Sequence, residues 1–224
     1  MVAYFITSSG TDIGKSFVAA ALTYQARSAG KNVQALKPVI SGYTPETLEE
    51  SDTGQLLMAQ GLWLDEHFAD TVSPWRFKAA LSPDMAAERE GSHVPFEKLL
   101  AWCEERLKAD GLTLIEGVGG VMVPLDGERT VLDWIVALKI PVLVVVGTYL
   151  GAMSHALSAI EVLKGRGVPI KAVIVSESEG SEVTLRETYD SLRKHLDAEI
   201  KLLALPRCED WKNAPPLLEE LGLL

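Results

Sequence analysis

An α/β fold, a mostly parallel sheet wrapped by helices, is predicted by three features of this 224-residue chain. Short apolar runs alternate with longer segments of helical period along most of the sequence. The runs lack the apolar–polar alternation of a half-exposed strand, so each is expected to be covered on both faces. Several helical segments stop at a glycine, as at Gly30 and Gly165, where a left-handed C-cap calls for one.

The elements follow in order. VAYFIT, from Val2 to Thr7, is the first strand, and Lys15 to Ala29 is the first helix. NVQALKP is the second strand, with Lys37 at its carboxyl end and Pro38 stopping it; Ser41-Gly42 forms a polar turn beyond. Helical patterns then cover Asp52 to Gln60, Phe96 to Lys108, Thr130 to Leu138, His155 to Lys164 and Glu182 to His195. LTLIEG, PVLVVVG and IKAVIVS supply the remaining strands. Between Ser41 and Ser51, and again from Asp70 to Pro95, proline, serine and charged residues break the pattern, and loops leaving one end of the sheet are expected there. The tail ALPRCEDWKNAPPLLEELGLL reads as a proline-rich turn and a short apolar helix packed back on the body. No internal repeat, low-complexity tract or composition shift divides the chain, so residues 1–224 are expected to form one domain.

Composition narrows the function. A hydrophobic content of 47% is ample for a substantial core. The formal charge of -10 argues against non-specific affinity for nucleic acid or anionic membrane, which are polyanions that need clustered Lys and Arg. A small-molecule partner is expected instead. The two cysteines, Cys103 and Cys208, have no metal-ligand spacing and make no disulfide framework, as in a reduced cytoplasm. No apolar run approaches the roughly 20 residues of a membrane span and no basic n-region opens the chain, so a soluble, unprocessed, cytoplasmic protein is expected.

The stretch FITSSGTDIGKS carries the first chemistry. It resembles the phosphate loop G-x-x-x-x-G-K-[ST], except that Ser9 stands at the first glycine position and Gly10 follows one residue later. It lies between a strand and a helix, the context the motif demands. Backbone amides at such a helix start converge on one spot, Lys15 neutralises phosphate charge and the Ser16 hydroxyl reaches Mg²⁺. Gly10 and Gly14 supply unusual dihedrals, and small Ser8 and Ser9 permit close approach.

An ion bridging phosphates takes one or two carboxylates besides a hydroxyl. Glu116 ends a buried strand and opens EGVGG; Asp52 stands at an expected N-cap, where plain capping is the alternative role. Lys37, beside the loop, is suited to stabilise charge on a transferred phosphoryl group, or is a surface lysine. GTYLGAMSHALSAI runs from a strand end into a helix whose first amides suit a second anion, such as a carboxylate. His155 in that helix is expected to be a helix or interface residue, and His67, His93 and His195 suggest nothing specific.

Together these segments resemble the dethiobiotin synthetase family of P-loop NTPases. FITSSGTDIGKS is similar to the family's F-V-T-G-T-D-T-x-V-G-K-T, and KPVISG to its K-P-V-x-S-G. SDTGQL resembles its Asp-bearing block, IEGVGGVMVPL its E-G-A-G-G-x-x-x-P-L, and LGAMSHALSAI its L-G-x-I-N-H-A. The blocks fall in the same order over most of the chain.

The resemblance implies an ATP- and Mg²⁺-dependent cyclo-ligase that closes a ureido ring: 7,8-diaminononanoate, CO₂ and ATP give dethiobiotin, ADP and phosphate through a carbamate and a carbamic-phosphoric anhydride. It implies catalytic roles for Thr11, Lys15 and Lys37, and metal ligation by Ser16, Asp52 and Glu116. Nucleotide binding is implied for Asp12, Ile13, Gly14, Lys15, Ser16 and Phe17, for Asp52 and for Glu116, Gly117, Val118 and Gly119. Substrate contacts are implied for Thr11, Lys37 and Ser41. The family is a homodimer, so Leu150, Gly151, Ala152, Met153 and Ser154 are implied to hold the substrate carboxylate across the subunit interface.

The chain departs from the family in places. Ser176, followed by Glu177, stands where the family commonly has an asparagine that reads adenine; a hydroxyl cannot make that paired contact, so relaxed or altered base preference is expected, with Leu205, Pro206 and Arg207 adding backbone contacts. Ser154 replaces another asparagine, and Asp84 stands where His is usual. Two rivals share parts of the pattern. A partitioning-type ATPase switch acting through protein partners would carry an early lysine in its loop, where SSGTD has none, and a related amide ligase would bring a glutaminase cysteine.

Overall fold

The computed structural model describes residues 2–224. In chain order the elements are β1 (Val2–Ser8), α1 (Lys15–Ser28), β2 (Val33–Leu36), β3 (Val39–Ser41), α2 (Asp52–Gln60), α3 (Glu66–Val72) and β4 (Trp75–Phe77). They continue with α4 (Pro83–Arg89), α5 (Phe96–Arg106), β5 (Leu112–Glu116), α6 (Val131–Leu138), β6 (Val142–Val146), α7 (Ala152–Gly165), β7 (Ile170–Ser176), α8 (Leu185–Arg193), β8 (Lys201–Leu205) and α9 (Leu217–Glu220). A 6-stranded sheet has the order β2-β5-β1-β6-β7-β8, and every pairing in it is parallel. β3 and β4 form a small parallel pair of their own.

Helices cover both faces of the large sheet, which explains the unbroken apolar runs. Phe5, Val144 and Val146 pack with Leu99, Trp134, Ile135 and Ile160 on one face. Their immediate neighbours Ile6, Leu143 and Val145 pack with Ala19, Leu22, Leu57 and Leu217 on the other. All five residues of β6 are fully buried. A strand with helices on both sides has no polar face to alternate with. Trp134 meets Phe5 edge-on, with ring centroids 4.8 Å apart.

The expected elements are present, with several corrections. β8 went unseen: KLLAL sits at the sheet edge, and its last two residues, Ala204 and Leu205, were read as the start of the tail. The stretch 70–95 is not plain loop: it holds the end of α3, all of β4 and α4. β4 has 3 residues and α4 has 7, too few to show a period. α7 starts at Ala152 rather than His155 and runs through Gly165; the left-handed glycine is Gly167, with φ +68°. α8 begins at Leu185, after a capping box in which Thr184 and Glu187 satisfy each other's backbone amides. The tail packs as expected, with Leu217 and Leu218 buried. Among the described residues no helix is long and apolar enough to cross a membrane.

Because the large sheet is parallel, the carboxyl ends of β1, β2, β5, β6 and β7 open at one end of the molecule. Ser8, Lys37, Glu116, Gly147 and Ser176 emerge there together. Ligands bind at this end of an open parallel sheet, where successive strands depart to opposite sides of the first.

Candidate active site

The loop from Ser9 to Gly14 leaves β1 at the centre of the sheet and delivers the chain into α1. Two of its residues adopt left-handed backbone, Asp12 with φ 55° and Gly14 with φ 93°. Gly14 serves a second need, since a Cβ there would lie 2.8 Å from Ser176 Oγ. The glycine-rich turn after β5 packs directly on this loop: Ser8 Oγ donates to Gly119 O at 3.1 Å, and a Cβ on Gly120 would meet Gly10 Cα at 3.3 Å. Close backbone approach therefore accounts for the later glycines of EGVGG.

Lys15 is buried and turned onto the loop, donating to Ser8 Oγ at 3.1 Å and to Gly10 O at 3.2 Å. Burial, with the Lys37 charge adding to it, lowers its pKa to about 8. Ser16, the next residue, donates to Glu116 Oε1 at 2.7 Å.

Glu116 is where three elements meet. Besides Ser16, its Oε1 accepts from Lys37 Nζ at 2.6 Å, and Lys37 also lies 2.9 Å from Asp52 Oδ2 and 2.9 Å from Gly117 O. Lys37 and Glu116 are buried, whereas the Asp52 side chain is 40% exposed and opens the cluster to the cavity. Burial pushes the Glu116 carboxyl upward. It would also raise Asp52, but the Lys37 ammonium holds that carboxyl below its ordinary value. Burial alone would lower Lys37; Asp52 and Glu116 overcome it and hold the ammonium protonated. Lys37 is thus no surface lysine.

Asp52 is not the helix cap. Ser51 caps α2, its Oγ accepting from Gly54 N at 3.1 Å, and Asp52 is the first helical residue. Its carboxylate is therefore free of capping and directed to Lys37.

Among the described residues no group of three or more His, Cys, Asp or Glu side chains is placed to hold a metal ion. The Ser16 hydroxyl and the Asp52 and Glu116 carboxylates fit Mg²⁺ all the same. They are hard oxygen donors, few enough to leave room for phosphate and water ligands, and Glu116 Oε2 is buried with no hydrogen-bond partner.

Two cavities adjoin at the loop and share Thr11, Asp12, Ile13 and Gly14. The first, about 670 Å³, is lined by Lys15, Ser16, Lys37, Ser41, Asp52, Val118 and Gly119. Its far wall is Ala80, Leu81 and Ser82 with Ile40 and Val123; none was singled out in the sequence, and only the loops expected over 70–95 at this end of the sheet pointed to it. The second, about 440 Å³, is lined by Phe17, Ser176, Glu177, Leu205, Pro206 and Arg207. Tyr149, Ser178, Glu179 and Cys208 line it too and were not foreseen. Here Arg207 N donates to Glu177 Oε2 at 2.9 Å, and the Arg207 guanidinium reaches Glu179 at 2.7 Å. Thr148 and Ser178 exchange reciprocal amide-to-hydroxyl bonds of 3.0 Å that tie the two flanking loops together.

Glu116 and Gly117 lie behind the cavity walls rather than on them. Leu150, Gly151, Ala152, Met153 and Ser154 line neither cavity. They sit at the start of α7, with Gly151 left-handed at φ 93° and Leu150 91% exposed. His155 Nδ1 is 2.8 Å from Tyr149 OH, a contact across the turn that opens α7. Asp84 occupies the first turn of α4, where the helix dipole favours an acid.

A parallel sheet whose first strand feeds a glycine-lysine-serine turn into a helix, with an acid ending the neighbouring strand, defines a P-loop NTPase. The solved structures agree on the fold. The MinC:MinD cell division complex of Aquifex aeolicus is similar with a TM-score of 0.56 at 14% identity, covering 99% of this chain and 85% of that one. The signal recognition particle receptor FtsY of Elizabethkingia anophelis gives 0.54 at 12% identity, covering 98% and 65%. A family model described as an AAA domain matches residues 2–214. Within that class the chain belongs to the ATP-dependent dethiobiotin synthetase family. It is 46% identical to the ATP-dependent dethiobiotin synthetase of Acidiphilium cryptum over 210 residues, 93% of this chain and 94% of the relative. Its identity to the synthetase of Methylobacterium nodulans is 44% over 213 residues, 92% and 94% of the two chains.

Proposed function

We propose that residues 1–224 form one catalytic domain that carboxylates 7,8-diaminononanoate and closes it to dethiobiotin with ATP, releasing ADP and phosphate. The observation that carries this reading is the junction of Ser16, Lys37, Asp52 and Glu116 at the edge of the first cavity. The loop amides, Lys15 and Ser16 bind the triphosphate, and the second cavity receives the nucleoside between Phe17, Ser176 and Pro206. Ser16, Asp52 and Glu116 would hold Mg²⁺, which would supply charge neutralisation for the phosphates.

Within the first cavity, Ser41 and Thr11 hold the diamine chain close to the terminal phosphate. One amine takes up CO₂ as a carbamate, whose oxygen attacks the γ-phosphorus. The second amine then displaces phosphate from the mixed anhydride and closes the ring. Lys37 contributes charge, not base catalysis: it enters as an ammonium, held protonated in the free protein by Asp52 and Glu116. Positioning and charge stabilisation are most of what phosphoryl transfer needs, and no cysteine or histidine nucleophile is required.

The protein acts as a homodimer. Leu150 to Ser154 stand outside both cavities of their own chain, which suits amides that hold the substrate carboxylate for a second copy. Incubation with diaminononanoate, bicarbonate and MgATP, read by mass spectrometry, tests the reading, with light scattering reporting the oligomer. A folded dimer that makes no dethiobiotin overturns the function, and a fully active monomer overturns the shared site.

A further inference from the structure

An ammonium group has three N–H donors, and in Lys37 all three are engaged: by Asp52 Oδ2 at 2.9 Å, Glu116 Oε1 at 2.6 Å and Gly117 O at 2.9 Å. None remains for a phosphate. The two carboxylates it holds are the ones assigned above to Mg²⁺, and it shares Glu116 Oε1 with the Ser16 hydroxyl, the third metal-binding group. Glu116 Oε2 has no partner, yet a divalent cation drawn to it meets the Lys37 ammonium on the other oxygen of the same carboxylate and on Asp52 Oδ2.

We propose that Lys37 is the protein's own countercation at the metal site, and that it leaves Asp52 and Glu116 only when a nucleoside triphosphate offers its ammonium phosphate oxygens. The site consequently takes up a divalent cation together with the nucleotide and not before it. The inference rests on the metal assignment made under the proposed function and adds to it an order of events.

Charge and burial both favour this order. Asp52 and Glu116 carry two negative charges and Lys37 one positive, so a divalent cation arriving alone meets a like charge among its ligands. Lys37 is only 2% exposed, so if displaced alone it would leave three donors without acceptors in a place water scarcely reaches. A γ-phosphate removes that penalty by accepting from Lys37. The same displacement brings the ammonium to the group that is to be transferred. Metal and nucleotide thus favour each other beyond their own mutual affinity, and the coupling is reciprocal.

The probe is Mn²⁺, titrated by electron paramagnetic resonance into the full-length protein with and without the non-hydrolysable analogue AMP-PNP, with Mn²⁺–AMP-PNP alone as control. Without nucleotide, Lys37→Met is expected to bind Mn²⁺ at least about tenfold more tightly than wild type. The added substitution Glu116→Gln is expected to abolish that gain, which places it at this site. Equal Mn²⁺ affinity of wild type and Lys37→Met without nucleotide overturns the proposal. Crystals of the wild type supply a readout independent of variant folding. Soaked in Mn²⁺ alone they are expected to show no anomalous peak at Asp52, and with AMP-PNP a peak and Lys37 withdrawn from both carboxylates. A peak beside an unmoved Lys37 overturns the ordering alone. Absence of Mn²⁺ from both proteins even with AMP-PNP overturns the metal assignment and the ordering together.

Discussion

Lys37 Nζ and Glu116 Oε1 lie 2.6 Å apart at the ends of adjacent strands, although 79 residues separate them in the chain. β2 and β5 run in parallel with Leu36 opposite Ile115, so the residue after each register pair emerges at the same level. The Lys37→Ala substitution is expected to reduce turnover by about 2 to 3 kcal/mol of transition-state stabilisation, roughly a hundredfold, with a much smaller effect on nucleotide affinity. Steady-state kinetics beside nucleotide titration checks this, and near-normal turnover would remove Lys37 from the mechanism.

Gly54 lies inside α2, where exchange of glycine for alanine ordinarily stabilises a helix by about 1 kcal/mol. Here a Cβ would fall 2.0 Å from Leu48 O and 3.0 Å from Glu49 O, backbone atoms that cannot step aside. Gly54→Ala is therefore expected to destabilise by about 1 to 3 kcal/mol and to displace Asp52, two residues earlier. Thermal unfolding decides the sign; a raised Tm contradicts the packing described.

Ser176 presses against Gly14 and offers a single hydroxyl where paired contacts would be needed to read a base. Turnover with ATP, CTP and GTP is accordingly expected to agree within about tenfold, since without a dedicated hydrogen-bond set discrimination is small. Strict ATP dependence in a competition assay would show that other groups of the second cavity read the base.

The two cysteines report on different parts of the molecule. Cys103 is buried, and burial pushes its thiol up to about 12, so at pH 8 hardly any thiolate is present and the group is shielded as well. Cys208 is half-buried on the wall of the second cavity. A disulfide reagent is expected to modify one thiol in the native protein and the second only after unfolding, with nucleotide slowing the first. Protection absent at saturating nucleotide would place the nucleoside elsewhere.

Local signals made much of this legible. Unbroken apolar runs disclosed the doubly covered sheet, and a strand-turn-helix context with Lys15 and Ser16 located the loop that both cavities share. Glu116 stood out because an acid ending a buried strand has little structural purpose. What stayed hidden depends on tertiary geometry. Asp52 and Ser51 are both common caps, and only the bond from Gly54 N to Ser51 Oγ tells which residue caps α2. The pairing of Lys37 with both carboxylates joins three distant segments and leaves no periodic trace. The wall at Ala80 to Ser82 follows β4, a strand too short to announce itself.

The proposed reaction joins CO₂ to both amines of 7,8-diaminononanoate in one cavity at the expense of the γ-phosphate. Incubation with ¹³C-bicarbonate, diaminononanoate and MgATP should yield dethiobiotin one mass unit heavier than the unlabelled product, with one phosphate released per ring closed. Phosphate release that diaminononanoate does not stimulate, with no labelled product, would contradict it.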